Sequence, residues 1–240
     1  MRHRLPSPPA TRALLAAALA IAGAHAALAA APAASPARAP AADTAAGRAS
    51  KYYEDALERY ERNDFAGAAI QLRNAIKNDR RNIAAHLLLG RVLLAVGELK
   101  AAEAALEEAL KAGVNLSEVA PVLGTVYLQL GDTRKLLDTI TTNGMPAAVL
   151  PQILTLRGTA YAMSGNLGTA AATFAHARQL DPKAAGPYIA EAPLLLRAGE
   201  GDRARSTALK ATELAPDSAQ AWSQLGTIQL TLGDRKSALA

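Results

Sequence analysis

Apolar residues recur at helical steps through most of the chain after residue 50. Ala102, Leu106, Ala109 and Leu110 line one side of such a stretch, while Glu103, Glu107, Glu108 and Lys111 fill the positions between them. That spacing gives a helix one apolar stripe and one charged, solvated face. Short turns interrupt the pattern, and the residues that open six of them, Asn63, Gly97, Gly131, Gly165, Gly199 and Gly233, follow one another at a constant interval of 34 residues. The pattern predicts repeated pairs of helices, with glycine, or asparagine as the next best residue, taking positive φ where each first helix ends. Asp181-Pro182 and Ala215-Pro216 mark the ends of the second helices of repeats four and five.

In this register the fourth position of each repeat reads Tyr52, His86, Ala120, Leu154, Tyr188 and Trp222. The eighth reads Ala56, Gly90, Gly124, Gly158, Ala192 and Gly226, and the twentieth reads Ala68, Ala102, Leu136, Ala170, Ala204 and Ala238. Small residues recur where two helices of a pair must cross closely. A 34-residue helix pair with an aromatic-favouring fourth position and small eighth and twentieth positions resembles the tetratricopeptide (TPR) repeat. The expected fold class is therefore all-α, a TPR α-solenoid of about five and a half repeats over residues 50–240. Each hairpin would shelter the apolar side of the next.

Several departures from regularity carry their own expectations. Thr141-Thr142-Asn143-Gly144 and Pro146 follow Leu136, Leu137 and Ile140 closely, so the second helix of repeat three should be short. Pro193 falls inside a helical stretch and should kink or interrupt it, whereas Pro121, Pro151 and Pro187 lie nearer helix starts, where proline is tolerated. The sixth repeat reaches Ala240 only a few residues into its second helix. Leu225, Ile228 and Leu232 would then lack a cover, which points to a longer protein or to a partner subunit that completes the edge.

The beginning of the chain is different. Arg2, His3, Arg4 and Arg12 precede an apolar run from Ala13 to Ala31 that holds Ala24-His25-Ala26 and Ala27-Leu28-Ala29 as cleavage candidates. Residues 1–30 read as a secretory signal peptide, with an uncleaved anchor as the alternative. Residues 31–49, rich in alanine and proline, read as a disordered tether. Residues 1–50 hold five basic groups against Asp43, while residues 51–240 hold 21 basic and 20 acidic groups. The high isoelectric point thus belongs to the leader, and no Lys/Arg stripe with interleaved aromatics suggests a nucleic-acid surface. Because cysteine is absent from the sequence, disulfides, thiolate metal sites and a lipid-modified cysteine are excluded.

Candidate chemistry is sparse. Half of the residues are apolar, only 4% are aromatic, and alanine is abundant, which suits closely packed helices. His86 takes an aromatic core slot and His176 a second-helix surface, so neither reads as a ligand or general base. Asp64, Asp132 and Asp234 follow the turn residues and read as helix N-caps rather than a carboxylate array. Gly165-Asn166-Leu167-Gly168 reads as a turn, without the strand and lysine of a phosphate loop. No catalytic, cofactor or metal site is expected, nor a small-molecule substrate. Function is expected on the concave wall of stacked first helices, where Tyr53, Arg91, Thr125, Gln129, Thr155, Thr159, Ser223 and Thr227 are the groove candidates for binding another protein or peptide. TPR domains that grip acidic C-terminal tails carry paired Lys and Asn along that wall, and these residues are missing here.

Ala69-Ile70-Gln71-Leu72-Arg73-Asn74-Ala75-Ile76, Leu88-Leu89-Gly90-Arg91-Val92-Leu93-Leu94, and the run from Ala109 through Gly113-Val114 to Pro121-Val122-Leu123 are similar to segments of the TPR-repeat protein of the PEP-CTERM/exosortase system of Gram-negative bacteria. That resemblance, with the shortened third repeat, implies a non-catalytic, exported scaffold, periplasmic or outer-membrane associated and tied to exopolysaccharide production and to sorting of tagged exported proteins. Many relatives resemble lipoproteins, and the missing cysteine departs from them. Two other readings share the repeats: a general periplasmic adaptor for outer-membrane or secretion complexes, and a substrate-recruiting arm of an enzyme whose catalytic domain lies beyond Ala240.

Overall fold

The computed structural model describes residues 44–233. The expected signal peptide, most of the expected tether, and Asp234 and Ala238 lie outside the described residues. Within them the chain forms α1 (Ala45–Glu61), α2 (Phe65–Asn78), α3 (Ile83–Ala95), α4 (Leu99–Lys111), α5 (Leu116–Leu130), α6 (Thr133–Thr139), α7 (Leu150–Met163), α8 (Leu167–Leu180), α9 (Gly186–Arg197), α10 (Gly201–Leu214) and α11 (Ala219–Thr231), with no strand among these residues. Consecutive helices pack as antiparallel pairs, and each pair also touches the next: α3 lies against α5, α5 against α7, α7 against α9 and α9 against α11. This is the all-α solenoid that the 34-residue interval predicts.

The interval works through one repeated device. Asn63, Gly97, Gly131, Gly165, Gly199 and Gly233 all have positive φ, between 61° and 85°. In the second hairpin the Gly97 N–H donates to Leu94 O at 3.1 Å and the Glu98 N–H to Leu93 O at 2.9 Å, and the same pair of bonds recurs at Asn63, Gly131, Gly165 and Gly199. These bonds use carbonyls that a helix end leaves free and reverse the chain in two residues.

Helix crossings explain the small residues. A Cβ on Gly90 would sit 2.4 Å from the Leu106 side chain, one on Gly124 2.8 Å from Leu156, and one on Gly158 2.6 Å from the Phe174 ring. Ala56, Ala68, Ala102, Ala170, Ala192 and Ala204 are fully buried. The apolar interior is divided into stretches along the array. One extends from Ala56 to Ala160, a second consists of Ala162, Ala170 and Phe174 with Tyr161, Ala190 and Leu194 against them, and a third joins Ala192, Leu195, Ala204, Ala208, Leu225 and Ile228.

The structure corrects several expectations. α1 starts at Ala45, ahead of the boundary expected at residue 50, because the Thr44 hydroxyl accepts from the Gly47 N–H at 2.9 Å and Ala49 is buried. Pro121 is not near a helix start: α5 begins five residues earlier, where Asn115 caps it. Pro193 does not interrupt α9, since its neighbours Glu191, Ala192 and Leu195 are buried and hold the helix on both sides of the ring. Asp64 caps α2 through the Gly67 N–H at 3.0 Å, but Asp132 makes no cap bond and lies 3.4 Å from Lys100 Nζ instead. Leu225 and Ile228 are covered by the preceding hairpin, since that side of α11 faces backwards, whereas Leu232 is 37% exposed.

The fourth-position slot also differs from its expected role. Trp222 is 52% exposed, and its indole N–H donates to Pro216 O at 2.7 Å. An indole N–H needs a partner, and the inter-repeat turn supplies one at the surface. His86, in the same slot, places Nε2 3.1 Å from Arg80 O, again six residues back. In repeats two and six, then, this side chain latches the turn that joins its repeat to the previous one.

The degenerate third repeat is repaired from outside. α6 has only seven residues and no turn glycine to close it. Arg157 on α7 donates to Leu137 O at 2.9 Å and Ile140 O at 2.7 Å, and its other nitrogen donates to the Tyr161 hydroxyl at 3.2 Å. The guanidinium thus satisfies carbonyls that the shortened helix exposes.

A charge cluster ties the second helices of repeats two and three together. Lys135 on α6 pairs with Glu103 and lies 2.7 Å from Glu107, both on α4, and 5.2 Å from the Tyr127 ring centre. Lys100 reaches Glu103 at 3.1 Å. The hydrogen bond from Lys135 is the largest influence on the Glu103 carboxyl and, with the smaller one from Lys100, it outweighs burial and lowers the carboxyl from its ordinary value, while the Glu103 bond raises Lys135. A lowered carboxyl contributes stability above its unfolded value, 4.5, and loses it as pH falls through the folded value. The raised ammonium contributes at and below its ordinary 10.5 and loses this as pH rises through the folded value. Both contributions are present at neutral pH. The melting-temperature gap between the wild type and Glu103→Gln is expected to persist at pH 7 and to close as pH is lowered past 4.5 in a calorimetric series.

Candidate protein-binding cleft

A recess on the first-helix wall lies in the C-terminal half. It is lined by α5, α7, α9 and α11 with the turns before α7 and α9, and it encloses about 700 Å³. Leu128, Pro151, Leu156, Met163, Pro187, Ile189, Pro193 and Leu194 supply apolar surface, with Ala148, Ala162, Ala184, Ala185 and Ala190 between them. Alanine-rich turns and short side chains leave this space open where larger residues would have filled it.

Of the eight candidates, Thr125, Thr155 and Thr159 line this recess. Tyr53, Arg91, Gln129, Ser223 and Thr227 do not: Tyr53 and Arg91 belong to α1 and α3, far along the array, and Ser223 and Thr227 are exposed on α11. For Tyr53, burial raises the phenol and Arg91 partly offsets this, so these two do lie within electrostatic reach of each other.

The threonines carry less hydrogen-bonding capacity than their type suggests. Thr125 Oγ1 donates to Pro121 O at 2.9 Å, Thr155 Oγ1 to Pro151 O at 2.8 Å, and Thr159 Oγ1 to Thr155 O at 2.9 Å. Each hydroxyl proton is spent on its own helix, which leaves a methyl and acceptor lone pairs for a ligand. The free donors are Gln152, Gln220, Gln224 and Arg197, and Asp181 adds a carboxylate. These five are the residues missed from sequence. Glutamines near the starts of α7 and α11 were a readable signal, but their convergence from repeats four and six depends on how the hairpins stack. An apolar floor with primary amides along it suits an extended main chain, since each amide both donates and accepts.

Among the described residues no cluster of three His, Cys, Asp or Glu is placed to hold a metal ion, and no helix is long and apolar enough to cross a membrane. His86 is buried in its slot and His176 is exposed on α8, in separate repeats. Gly165 and Asn166 form the turn into α8, whereas Leu167 and Gly168, expected in the turn, are the first residues of the helix.

A second recess, of about 720 Å³, is built from second helices. Arg73, Ile76 and Lys77 of α2, Arg80 and Arg81 of the following turn, and Glu108, Lys111 and Ala112 at the end of α4 surround His86. Four of its five cations, Arg73, Lys77, Arg80 and Arg81, fall within nine residues of sequence, and the repeat brings Lys111 beside them.

Comparison with known proteins agrees with this geometry. The tetratricopeptide repeat family matches residues 59–126, and no curated protein matches the chain. Among solved structures, PilW, a widely conserved type IV pilus biogenesis factor, is 18% identical with a TM-score of 0.64, over 80% of this chain and 89% of its own. A thermophilic TPR protein of Thermus thermophilus is 20% identical with a TM-score of 0.62, over 76% and 99%. YrrB, a TPR protein with an unusual peptide-binding site, is 22% identical with a TM-score of 0.52, over 72% and 89%. At these identities the likeness is one of fold. Residues 59–126 match the tetratricopeptide repeat, and the 34-residue interval with its left-handed turn carries the same helix-pair fold through the described residues as an all-α, TPR-like solenoid.

Proposed function

We propose that the protein is a non-catalytic scaffold that holds an extended segment of a partner protein in the cleft between α5, α7, α9 and α11. The observation that carries this reading is the cleft itself: an apolar floor from three consecutive first helices, with Gln152, Gln220 and Gln224 along it and the threonine hydroxyl protons already used. Such a surface recognises main chain and small apolar side chains rather than charge. The unusual peptide-binding site ascribed to YrrB is in keeping with this use of the fold. Thr159→Arg would put a long charged side chain into the cleft without altering the hairpin crossings. A photo-crosslinker at Gln152 should capture a partner segment in the otherwise wild-type protein, and Thr159→Arg should reduce that capture about tenfold with an unchanged circular dichroism spectrum. Equal capture by both proteins would overturn the cleft as the site.

The setting is read from the chain's beginning and from the resembling segments. The scaffold is exported and serves the PEP-CTERM/exosortase, exopolysaccharide-associated apparatus at the cell envelope. Fractionation of cells expressing the full chain tests the first part. A periplasmic or outer-membrane pool with a mature N-terminus just after Ala26 or Ala29 is expected, and a cytoplasmic pool with intact Met1 would refute export. Service to pilus or secretion assembly is the second reading, suggested by the likeness to PilW.

A further inference from the structure

The basic recess on the second helices has no part in the cleft reading. Two of its cations have an ordinary structural explanation. Lys77 and Lys111 lie in the last turns of α2 and α4, where an ammonium offsets the negative end of the helix dipole, and Lys111 also pairs with Glu108 at 2.7 Å. Arg73 is only loosely engaged, 3.8 Å from Glu98. Arg80 and Arg81 are surplus: they are exposed in the turn beyond α2, and neither guanidinium makes an ion pair among the described residues. The one nearby acid in the turn, Asp79, is occupied, since its Oδ1 accepts the backbone N–H of Arg81 at 3.0 Å. In a chain whose residues 51–240 are almost charge-balanced, this leaves a local positive excess.

The surroundings narrow the occupant. The cations line a concavity rather than a plane, which does not match a bilayer surface, and the one ring in the lining, the His86 imidazole, is buried with its Nε2 against Arg80 O and offers no face for a base to stack on. Ile76 and Ala112 offer apolar contact beside the charges. We propose that this recess docks an acidic segment of a partner polypeptide, with carboxylates on Arg80 and Arg81 and an apolar side chain against Ile76 and Ala112. Because it uses second helices, the protein can hold this segment while the first-helix cleft is filled, and so join two partners.

The test titrates the full chain with a fluorescein-labelled peptide of alternating glutamate and leucine, beside the same peptide with glutamine for glutamate. Binding of the acidic peptide alone is expected, weakening about tenfold between roughly 50 and 200 mM salt. Arg80→Glu with Arg81→Glu should weaken it by about tenfold or more with no change in the melting curve, and should leave crosslinking from Gln152 as it was. Equal binding of the acidic peptide by the wild type and this variant would overturn the proposal. Tighter arginine-dependent binding to phosphatidylglycerol vesicles, or displacement of the peptide by millimolar inorganic phosphate, would overturn it in favour of a lipid surface or a small-anion site.

Discussion

Phe174→Ala is expected to destabilise the protein by about 3–5 kcal/mol and to uncouple its two halves. Phe174 is fully buried, and its ring fills the space that Gly158 leaves open at the crossing of α7 and α8. With Ala162 and Ala170 it forms the smallest of the apolar clusters, the one between the long N-terminal core and the cluster around α9, α10 and α11. In a stacked array, stability is the sum of hairpin terms and nearest-neighbour interfaces, so a cavity at this point weakens the one junction through which the C-terminal hairpins draw on the rest. The chain's single tryptophan, Trp222, sits on α11 and reports locally. In a urea titration of the variant, tryptophan fluorescence should change before far-ultraviolet dichroism does. Coincident curves with a loss below about 1 kcal/mol would show that the ring is not the keystone of this junction.

The second large effect concerns an ion pair between α8 and α9 at the same boundary. Arg178 on α8 and Glu191 on α9 are paired, with side-chain exposures of 23% and 9%, and the Arg178 guanidinium lies 5.2 Å from the Tyr188 ring centre. Removing one partner strands the other's charge in a poorly solvated place. Arg178→Ala is therefore expected to destabilise by about 3 kcal/mol. Replacing both partners, Arg178→Met with Glu191→Leu, removes the desolvation penalty along with the attraction and should recover most of the loss. A double-mutant cycle read from urea denaturation decides this. Strict additivity of the two single changes would mean that the pair contributes no coupling, whatever its geometry.

Much of this architecture could be read from the chain because the repeat makes each local signal appear several times over. A lone glycine at residue 131 would be weak evidence for a left-handed turn, but the same residue at a constant interval, each time with positive φ, fixes the register of every hairpin. The shortness of α6 was legible for the same reason, as a break in an established pattern. What failed was whatever depends on neighbours two or three repeats away. Trp222 has the sequence of a core aromatic, yet it is a surface latch, because burial at that slot is decided by the adjoining helices. Pro193 has the sequence of a helix breaker, yet flanking side chains hold α9 intact.

The candidate cleft was legible only in part. First-helix placement put Thr125, Thr155 and Thr159 on the recess wall, but nothing local shows that their hydroxyl protons turn back onto proline and threonine carbonyls. Gln152, Gln220 and Gln224 come together only through stacking, as do Lys111 and the arginines after α2.

Arg157 means that the unit in which this array can be cut and rejoined is not the period in its sequence. The carbonyl ends of α6 are closed by a side chain from the following hairpin, so repeat three is complete only in the company of repeat four. A chimera that excised repeat four at the 34-residue boundaries would take with it the plug for its predecessor and let α6 fray, whereas an exchange treating the stretch from α5 to α8 as one cassette would carry the plug along. Recombination in this solenoid should accordingly tolerate joints on either side of that double module and reject the one inside it.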